Sequence, residues 1–425
     1  MLHITERSAK MVTEQPVVVG IDIGTTKVCT LVGREEAPGQ LRILGMGVEP
    51  SQGIKKGVVV DLAAASLAVK KSIEKAERTS GMEINSALVS LAGAQISSTN
   101  STGVVGVSGR VIDQDDIYRA IESARAVPIP HNREIIHVIH RGFNVDGQEG
   151  IRMPIGMHGY RLEVETHIIT ASSASTENLR QCVGASGVEV SQFVLNPLAS
   201  AEVVLTETER QMGVLVCDIG GGTTDIALYV NGDVWFTAVL AVGGNHITSD
   251  IAQGLRLPMS QAEEVKLQHG YAIETEVDER ESFQIKPFGE ETYTQISRSD
   301  LAHIIEARAE EILSLVLQEI KRSGYDGLLP AGIVLTGGSS LLPGLRQLAN
   351  RLFNVPVRIG KPEGLIGMAD RLDSPAFSTS VGLLKWAMLY NEFIPPETHK
   401  GIGIQLPGNS QAWETLKEWL RRLLP

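Results

Sequence analysis

Two short runs hold the residues best suited to grip a phosphate: Gly20-Ile21-Asp22-Ile23-Gly24-Thr25-Thr26-Lys27 and Cys217-Asp218-Ile219-Gly220-Gly221-Gly222-Thr223-Thr224-Asp225. Each places an Asp at the end of an apolar stretch, then Ile-Gly, then a Gly/Thr turn. Glycines let backbone N–H groups approach phosphate oxygens and form an anion nest. Threonine hydroxyls add donors, and Lys27 supplies a compact positive charge for the β- and γ-phosphates. Asp22 and Asp218, facing each other across a cleft, would orient hydrated Mg²⁺, which tends to keep several of its waters. One such turn alone fits equally well as an ordinary hairpin in which glycine is needed and Asp caps. Recurrence of the whole strand-plus-turn unit in the second half of the chain makes it an internal repeat and favours the nucleotide.

The elements around these turns are legible in outline. Residues 17–23 and 28–32 read as a strand and its hairpin partner. Asp61 caps a helix that runs to about Ser80, with Gly81 as a left-handed stop. A strand at 87–91 leads into a change of texture over 93–170, where strand-like stretches flank a helix near 115–126. A helix near 176–186 and a strand at 188–194 return to the first lobe. The second unit opens with a strand at 214–219 and a hairpin across Asn231-Gly232, a type I′ turn signal. Helices follow near 245–255 and 260–269, and a long helix starts at Ser299. The expected division is 14–92 and 172–210 for the first-lobe core, with an α+β subdomain inserted at 93–171. The second-lobe core takes 211–255 and 329–394, with an insertion at 256–328. A linker at 395–410 and a tail helix at 411–425 end the chain.

Bulk properties narrow the function. A chain of 425 residues exceeds one compact core. The formal net charge of −12 argues against nucleic-acid binding, which calls for a basic face. Cys29, Cys182 and Cys217 lie in apolar surroundings without paired spacing and read as buried thiols of a reducing compartment. His137 and His140 fall on different faces of a strand, so they are not expected to pair on a metal. No stretch has the length of a membrane span, and the start lacks a signal peptide, so a cytoplasmic protein with peripheral membrane contact is expected. In the tail, Trp413, Leu416, Trp419, Leu420, Leu423 and Leu424 form one apolar stripe opposite Glu414, Lys417, Glu418, Arg421 and Arg422. That pattern fits an interfacial membrane helix or a terminal helix docked on the protein's own surface.

The paired turns resemble those of the actin–Hsp70–sugar kinase superfamily, which implies an α/β, actin-like two-lobed ATPase fold of duplicated mixed-sheet cores. Further segments fit the resemblance. Val334-Leu335-Thr336-Gly337-Gly338-Ser339-Ser340 is similar to its adenosine motif, and Gly243-Gly244 to the matching turn of the second lobe. Glu263 and Lys266, three apart on one helical face, are similar to the pair bracketing ribose and adenine; alone they would be a solvated salt bridge. The segments 196–201 and 380–383 resemble the two interlobe helices of the hinge. Segment order from 17 to about 391, the run 243–252 and the place of the first insertion resemble the FtsA family of bacterial actin-like cell-division proteins. That resemblance, with the long linker, favours the membrane for the tail. It also implies self-assembly into filaments, recruitment of the C-terminal peptide of the tubulin-like FtsZ through 256–328, and contact of other division proteins with 93–171, on the cytoplasmic face of the membrane. Asn196 stands where a better hydrolase of the superfamily places Glu or Gln near the attacking water. Asparagine can orient water but is no general base, so tight ATP binding with slow or negligible hydrolysis is expected. The rival readings are a small-molecule kinase of the same superfamily and an FtsA-like pilus-assembly protein, the latter disfavoured by the amphipathic tail.

Overall fold

Each half of the chain begins with an apolar strand that ends in Asp, and two sheets of one design grow from those strands. The computed structural model describes residues 16–390 apart from 38 and 110. The linker 395–410 and tail 411–425, with Trp413, Leu416, Trp419, Leu420, Leu423 and Leu424, lie outside the described residues.

The first lobe starts with β1 (Val18–Ile23), β2 (Lys27–Ala37) and β3 (Gln40–Pro50), a small hairpin β4 (Ile54–Lys55) and β5 (Val58–Val59), α1 (Leu62–Ser80) and β6 (Ser86–Leu91). The insertion follows as β7 (Ser97–Gly106), α2 (Gln114–Arg125), β8 (Arg133–Val145), β9 (Gln148–Ile151) and β10 (Arg161–Ser172). Then come α3 (Ser173–Gly184), β11 (Glu189–Leu195), α4 (Asn196–Val204) and α5 (Glu207–Met212). The second lobe holds β12 (Val214–Ile219), β13 (Thr224–Val230), β14 (Asp233–Leu240), α6 (Gly244–Gly254) and α7 (Met259–His269), the hairpin β15 (Ser282–Ile285) and β16 (Thr294–Ser297), and α8 (Arg298–Ser323). It continues with β17 (Ile333–Thr336), α9 (Leu345–Phe353) and β18 (Val357–Ile359), before β19 (Leu365–Gly367) and α10 (Ser378–Tyr390) close the described chain.

The first sheet runs β11-β6-β1-β2-β3-β19 and the second β18-β17-β12-β13-β14. In both, the Asp-bearing strand is antiparallel to its hairpin partner and parallel to the neighbour on its other side. The internal repeat is therefore a repeat of topology as well as of residues. Local signals act as their chemistry dictates. Asp61 Oδ1 accepts from Ala64 N at 3.1 Å to cap α1, and Gly81 ends it at φ 71°. Asn231 and Gly232 turn β13 into β14 at φ 54° and 87°. The strand β3 gives no such signal, because Gly45 and Gly47 interrupt its apolar alternation where α1 packs close; Ser72 Oγ donates to Gly47 O at 2.9 Å.

The two cores are joined. One apolar cluster takes Val18 and Leu31 from the first sheet, Val216 and Val334 from the second, and Leu198, Val381 and Leu383 from α4 and α10. These two helices cross so closely that a Cβ at Gly382 would stand 1.9 Å from Ala199 O. From the sequence, all of 329–394 is expected in the second lobe. Instead β19 pairs with β3, and α10 packs on β1, β2 and β6 of the first lobe. A three-residue strand carries too little pattern to announce which sheet it joins.

The inserted sheet, β7-β10-β8-β9, is antiparallel throughout and packs α2 on one face. It also reaches the second lobe. The His167 ring bonds Asn100 Oδ1 at 2.7 Å and Thr237 Oγ1 of β14 at 2.9 Å, and Ser98 Oγ donates to Thr237 O at 2.9 Å. His137 Nε2 accepts from Leu195 N at 3.2 Å, and its ring meets Trp386 edge-on, whereas His140 lies beside Phe143. No cluster of three or more His, Cys, Asp or Glu side chains arranged to hold a metal occurs among the described residues, and Cys29, Cys182 and Cys217 are all free and buried.

Burial pushes His167 down to about 3 and His137 down to about 4, against an ordinary value of 6.5. Both are neutral in the folded protein and free to protonate when unfolded. Each therefore contributes stability that is complete above pH 6.5 and declines as the pH falls below it, by about 1.4 kcal/mol per pH unit. His167→Gln should be less stable than wild type at neutral pH, and the difference should shrink as the pH is lowered towards about 5. Denaturant melts at several pH values check this; a gap independent of pH contradicts it.

Candidate functional site

The turns after β1 and β12 close in the same way. Gly24 N donates to Lys27 O at 3.0 Å, and Gly220 N donates to Thr223 O at 2.9 Å. They meet across a cleft of about 310 Å³ between the lobes. A Cβ on Gly222 would stand 2.4 Å from Thr25 Oγ1, and one on Gly221 2.2 Å from Thr26 Oγ1. Only glycine lets the two turns interdigitate, and their N–H groups remain close to anything placed between them.

Asp22 and Asp218 are 5% and 6% exposed, so their charges depend on the few partners they have. Asp22 Oδ1 accepts from Ser90 Oγ at 3.0 Å and its Oδ2 from Ser380 Oγ at 2.6 Å. Asp218 Oδ2 accepts from Thr379 Oγ1 at 2.9 Å. Neighbouring residues in the first turn of α10 thus hold one aspartate each. Burial pushes the Asp218 carboxyl up to about 6, against the opposing pull of the Thr379 hydroxyl and with a further push from the charge of Asp22. Asp225 is also on the wall. Its Oδ2 accepts from Thr223 Oγ1 at 2.8 Å, its Oδ1 has no protein partner, and burial beside Asp218 raises its carboxyl well above the ordinary range.

Asn196, at the start of α4, presents a buried Oδ1 with no protein partner to the same cleft. Lys27 lines the wall as well. Its Nζ donates to Ala376 O and lies 4.8 Å from the centre of the Phe377 ring. The residues fit a magnesium nucleotide on the protein's own terms: a cradle that any Cβ would fill, two buried carboxylates and two buried oxygens without partners. With only carboxylates to hold it on the protein side, a hard cation would keep waters or phosphate oxygens in its remaining positions.

The far end of the cleft is different in kind. Gly337, at φ 82°, brings the backbone beside Asp218, and Gly338 and Ser339 follow on the wall. Ser339 Oγ and Gly244 N both donate to Gly220 O at 2.9 Å, and Asn245 N donates to Gly221 O at 2.8 Å. Glu263 and Lys266 pair at 2.7 Å, and beside them Leu267, Leu341 and Leu342 form an apolar wall. A polar, cation-seeking end and a partly apolar end with a carboxylate suit a phosphorylated nucleoside lying along the cleft.

Nearly all residues expected at the site meet on this one surface. Thr224 and Gly243 stand behind it: Thr224 Oγ1 donates to Val242 O at 2.9 Å, and Gly243 packs against the Gly220 and Gly221 carbonyls. Sequence reasoning passed over Thr379 and Asp225. Thr379 precedes the recognised hinge segment by one residue and Asp225 closes a quoted turn, so adjacency was the available signal. Gly57 was also missed; it lines the cleft and its N donates to Thr25 Oγ1 at 3.3 Å.

Comparison with known proteins agrees with this architecture. Residues 215–382 match the family profile "Cell division protein FtsA", and residues 93–170 match "SHS2 domain inserted in FTSA". Cell division protein FtsA of Pseudomonas aeruginosa is 39% identical over 412 residues, covering 95% of this chain and 97% of that protein. The Escherichia coli K12 protein of the same name is 37% identical over 418 residues, covering 96% and 99%. Among solved structures, a PilM–PilN type IV pilus biogenesis complex aligns with TM-score 0.62 at 17% identity, covering 87% of this chain and 97% of that one. MreB5 of Spiroplasma citri bound to ADP aligns with TM-score 0.57 at 16% identity, covering 88% and 97%. At those identities the structures establish the actin-like fold alone.

Gly337→Ala should destabilise the protein by about 1–3 kcal/mol, because a left-handed backbone becomes strained and the new Cβ would press on Asp218 Oδ1 at 2.4 Å. Gly338→Ala, whose nearest neighbour would be Ala376 Cβ at 3.7 Å, should change stability by less than about 0.5 kcal/mol. Thermal melts of the two variants check the contrast, and equal effects contradict it.

Proposed function

We propose, from the premise that this chain belongs to the FtsA family of cell-division proteins, that it binds Mg-ATP between its lobes and uses the nucleotide as a structural clamp for self-assembly on the membrane. The observation that carries this reading is the meeting of two glycine turns around Asp22 and Asp218. Gly24, Thr25, Thr26, Lys27, Gly220, Gly221, Gly222 and Thr223 would hold the phosphates, with the aspartates holding magnesium through water. Gly337, Gly338, Ser339, Glu263 and Lys266 would hold the nucleoside, and Gly243, Gly244 and Thr224 would support the turns. Held by Asp22 and Asp218, magnesium would supply positive charge to offset that of the phosphates.

Hydrolysis is slow in this reading. Asn196 offers an amide oxygen that can accept from a water but cannot take up a proton at neutral pH. The clamp therefore holds longer than an engine would.

The membrane part rests on the tail pattern. Among the described residues no helix is long and apolar enough to cross a membrane. The stripe from Trp413 to Leu424 would lie in the interface, and one such helix binds weakly and reversibly. Many copies in a filament multiply that affinity without any new contact, so assembly and recruitment are coupled. In this arrangement the second-lobe insertion (256–328) takes the FtsZ C-terminal peptide and tethers it to the cytoplasmic face of the membrane, while 93–171 receives other division proteins. Family membership over nearly the whole chain favours this over a small-molecule kinase, and the low identity to PilM leaves the pilus-assembly reading only the shared fold.

Removing 413–425 should abolish binding to anionic vesicles and leave ATP affinity unchanged. Wild type should turn ATP over far more slowly than once per second. Vesicle co-sedimentation and phosphate release check both; retained vesicle binding, or turnover of many per second, contradicts the proposal.

A further inference from the structure

The nucleoside end of the cleft depends on a side chain that does not reach it. Thr248, in α6, is 2% exposed and stands behind the wall. Its Oγ1 lies 3.1 Å from Gly244 O and 2.8 Å from Lys266 Nζ, and it also bonds Glu263 Oε2. One hydroxyl thus meets a carbonyl, an ammonium and a carboxylate. It has a single proton, which goes to the carbonyl or the carboxylate, and it accepts from the ammonium.

A threonine that bonds the carbonyl four residues back is a common helix contact with no further role. Here the same oxygen also ties α6 to α7. Lys266 Nζ completes the lock by donating to Gly244 O at 3.3 Å and to Glu263 Oε2 at 2.7 Å. Glu263 and Lys266 line the cleft, whereas Thr248 does not. The lock holds Oε2 of Glu263 and leaves Oε1 for a ligand hydroxyl. The first turn of α6 carries the Gly244 and Asn245 N–H groups that bond the Gly220 and Gly221 carbonyls. The phosphate turn and the Glu263–Lys266 pair are therefore set against each other through one short piece of helix.

We propose that Thr248 is a positioning residue for ribose recognition: it fixes Glu263 and Lys266 so that their polar atoms meet the sugar hydroxyls of a bound nucleotide. This rests on the nucleotide reading above. A long, partly exposed glutamate samples several rotamers unless it is held. Without the hydroxyl, Glu263 should lose its fixed direction while the phosphate turn keeps its own bonds.

The test measures the affinities of Mg-ATP, Mg-2′,3′-dideoxy-ATP and Mg-tripolyphosphate for wild type, Thr248→Val and Thr248→Ser by calorimetry. Wild type should prefer ATP to the dideoxy analogue by about tenfold or more, as expected for a site whose polar groups read hydroxyls. Thr248→Val should bind the two alike and keep the wild-type affinity for tripolyphosphate, and Thr248→Ser should restore the preference. If the valine variant does not fold, Thr248→Ala takes its place with the same readings. An unchanged preference in the valine variant overturns the role assigned to Thr248 while leaving nucleotide binding standing. Equal weakening of all three ligands also overturns it, because it marks a merely structural residue. Failure of wild type to bind ATP at all would instead remove the nucleotide reading.

Discussion

Asp22 and Asp218 bring two buried carboxylates to one cleft, and buried like charges are costly unless they are hydrogen-bonded and offset by a cation. The fold answers the first need with adjacent hydroxyls of one helix, Thr379 for Asp218 and Ser380 for Asp22, and with Ser90 for the second oxygen of Asp22. The second need is what the proposed cation would meet. Both aspartates arrive at the ends of strands whose partners and directions are the same in the two lobes, so the pair is a product of duplicated topology. The glycine turns that follow leave open the space that a side chain at Gly221 or Gly222 would fill.

The same helix that holds the carboxylates also touches both lobes. α10 packs under the first sheet and crosses α4 at the close approach of Gly382 to Ala199, while Ser378 Oγ pairs with Thr336 Oγ1 of the second sheet at 2.7 Å. Movement of one lobe against the other therefore disturbs the aspartate bonds directly. The lobes are also tied at His167–Thr237, beyond the cleft. A ligand that spanned the cleft would act on a body already coupled at several points.

Much of this was legible in the residues, and the limits have physical causes. The paired glycine turns, the cap at Asp61, the stop at Gly81 and the Asn231-Gly232 turn are local signals whose chemistry acts over a few residues. The places of β19 and α10 were not legible, because pairing across lobes is decided by packing between segments distant in sequence. Thr379, Asp225 and Thr248 escaped for a related reason. Their types are ordinary, and only the folded chain shows a hydroxyl aimed at a buried carboxylate or at a helix neighbour. The tail is the opposite case, with a strong pattern whose placement lies outside the described residues.

In the proposed function the two aspartates form a cation site completed by the nucleotide. Carbon-13 labelling of the aspartate carboxyls, with a pH titration followed by NMR, reads this at Asp218 itself. In the free protein its carboxyl should titrate near the value of about 6 to which burial raises it. With saturating Mg-ATP the midpoint should fall below about 4, because a nearby cation favours the charged form. A midpoint unmoved by Mg-ATP would contradict the claim.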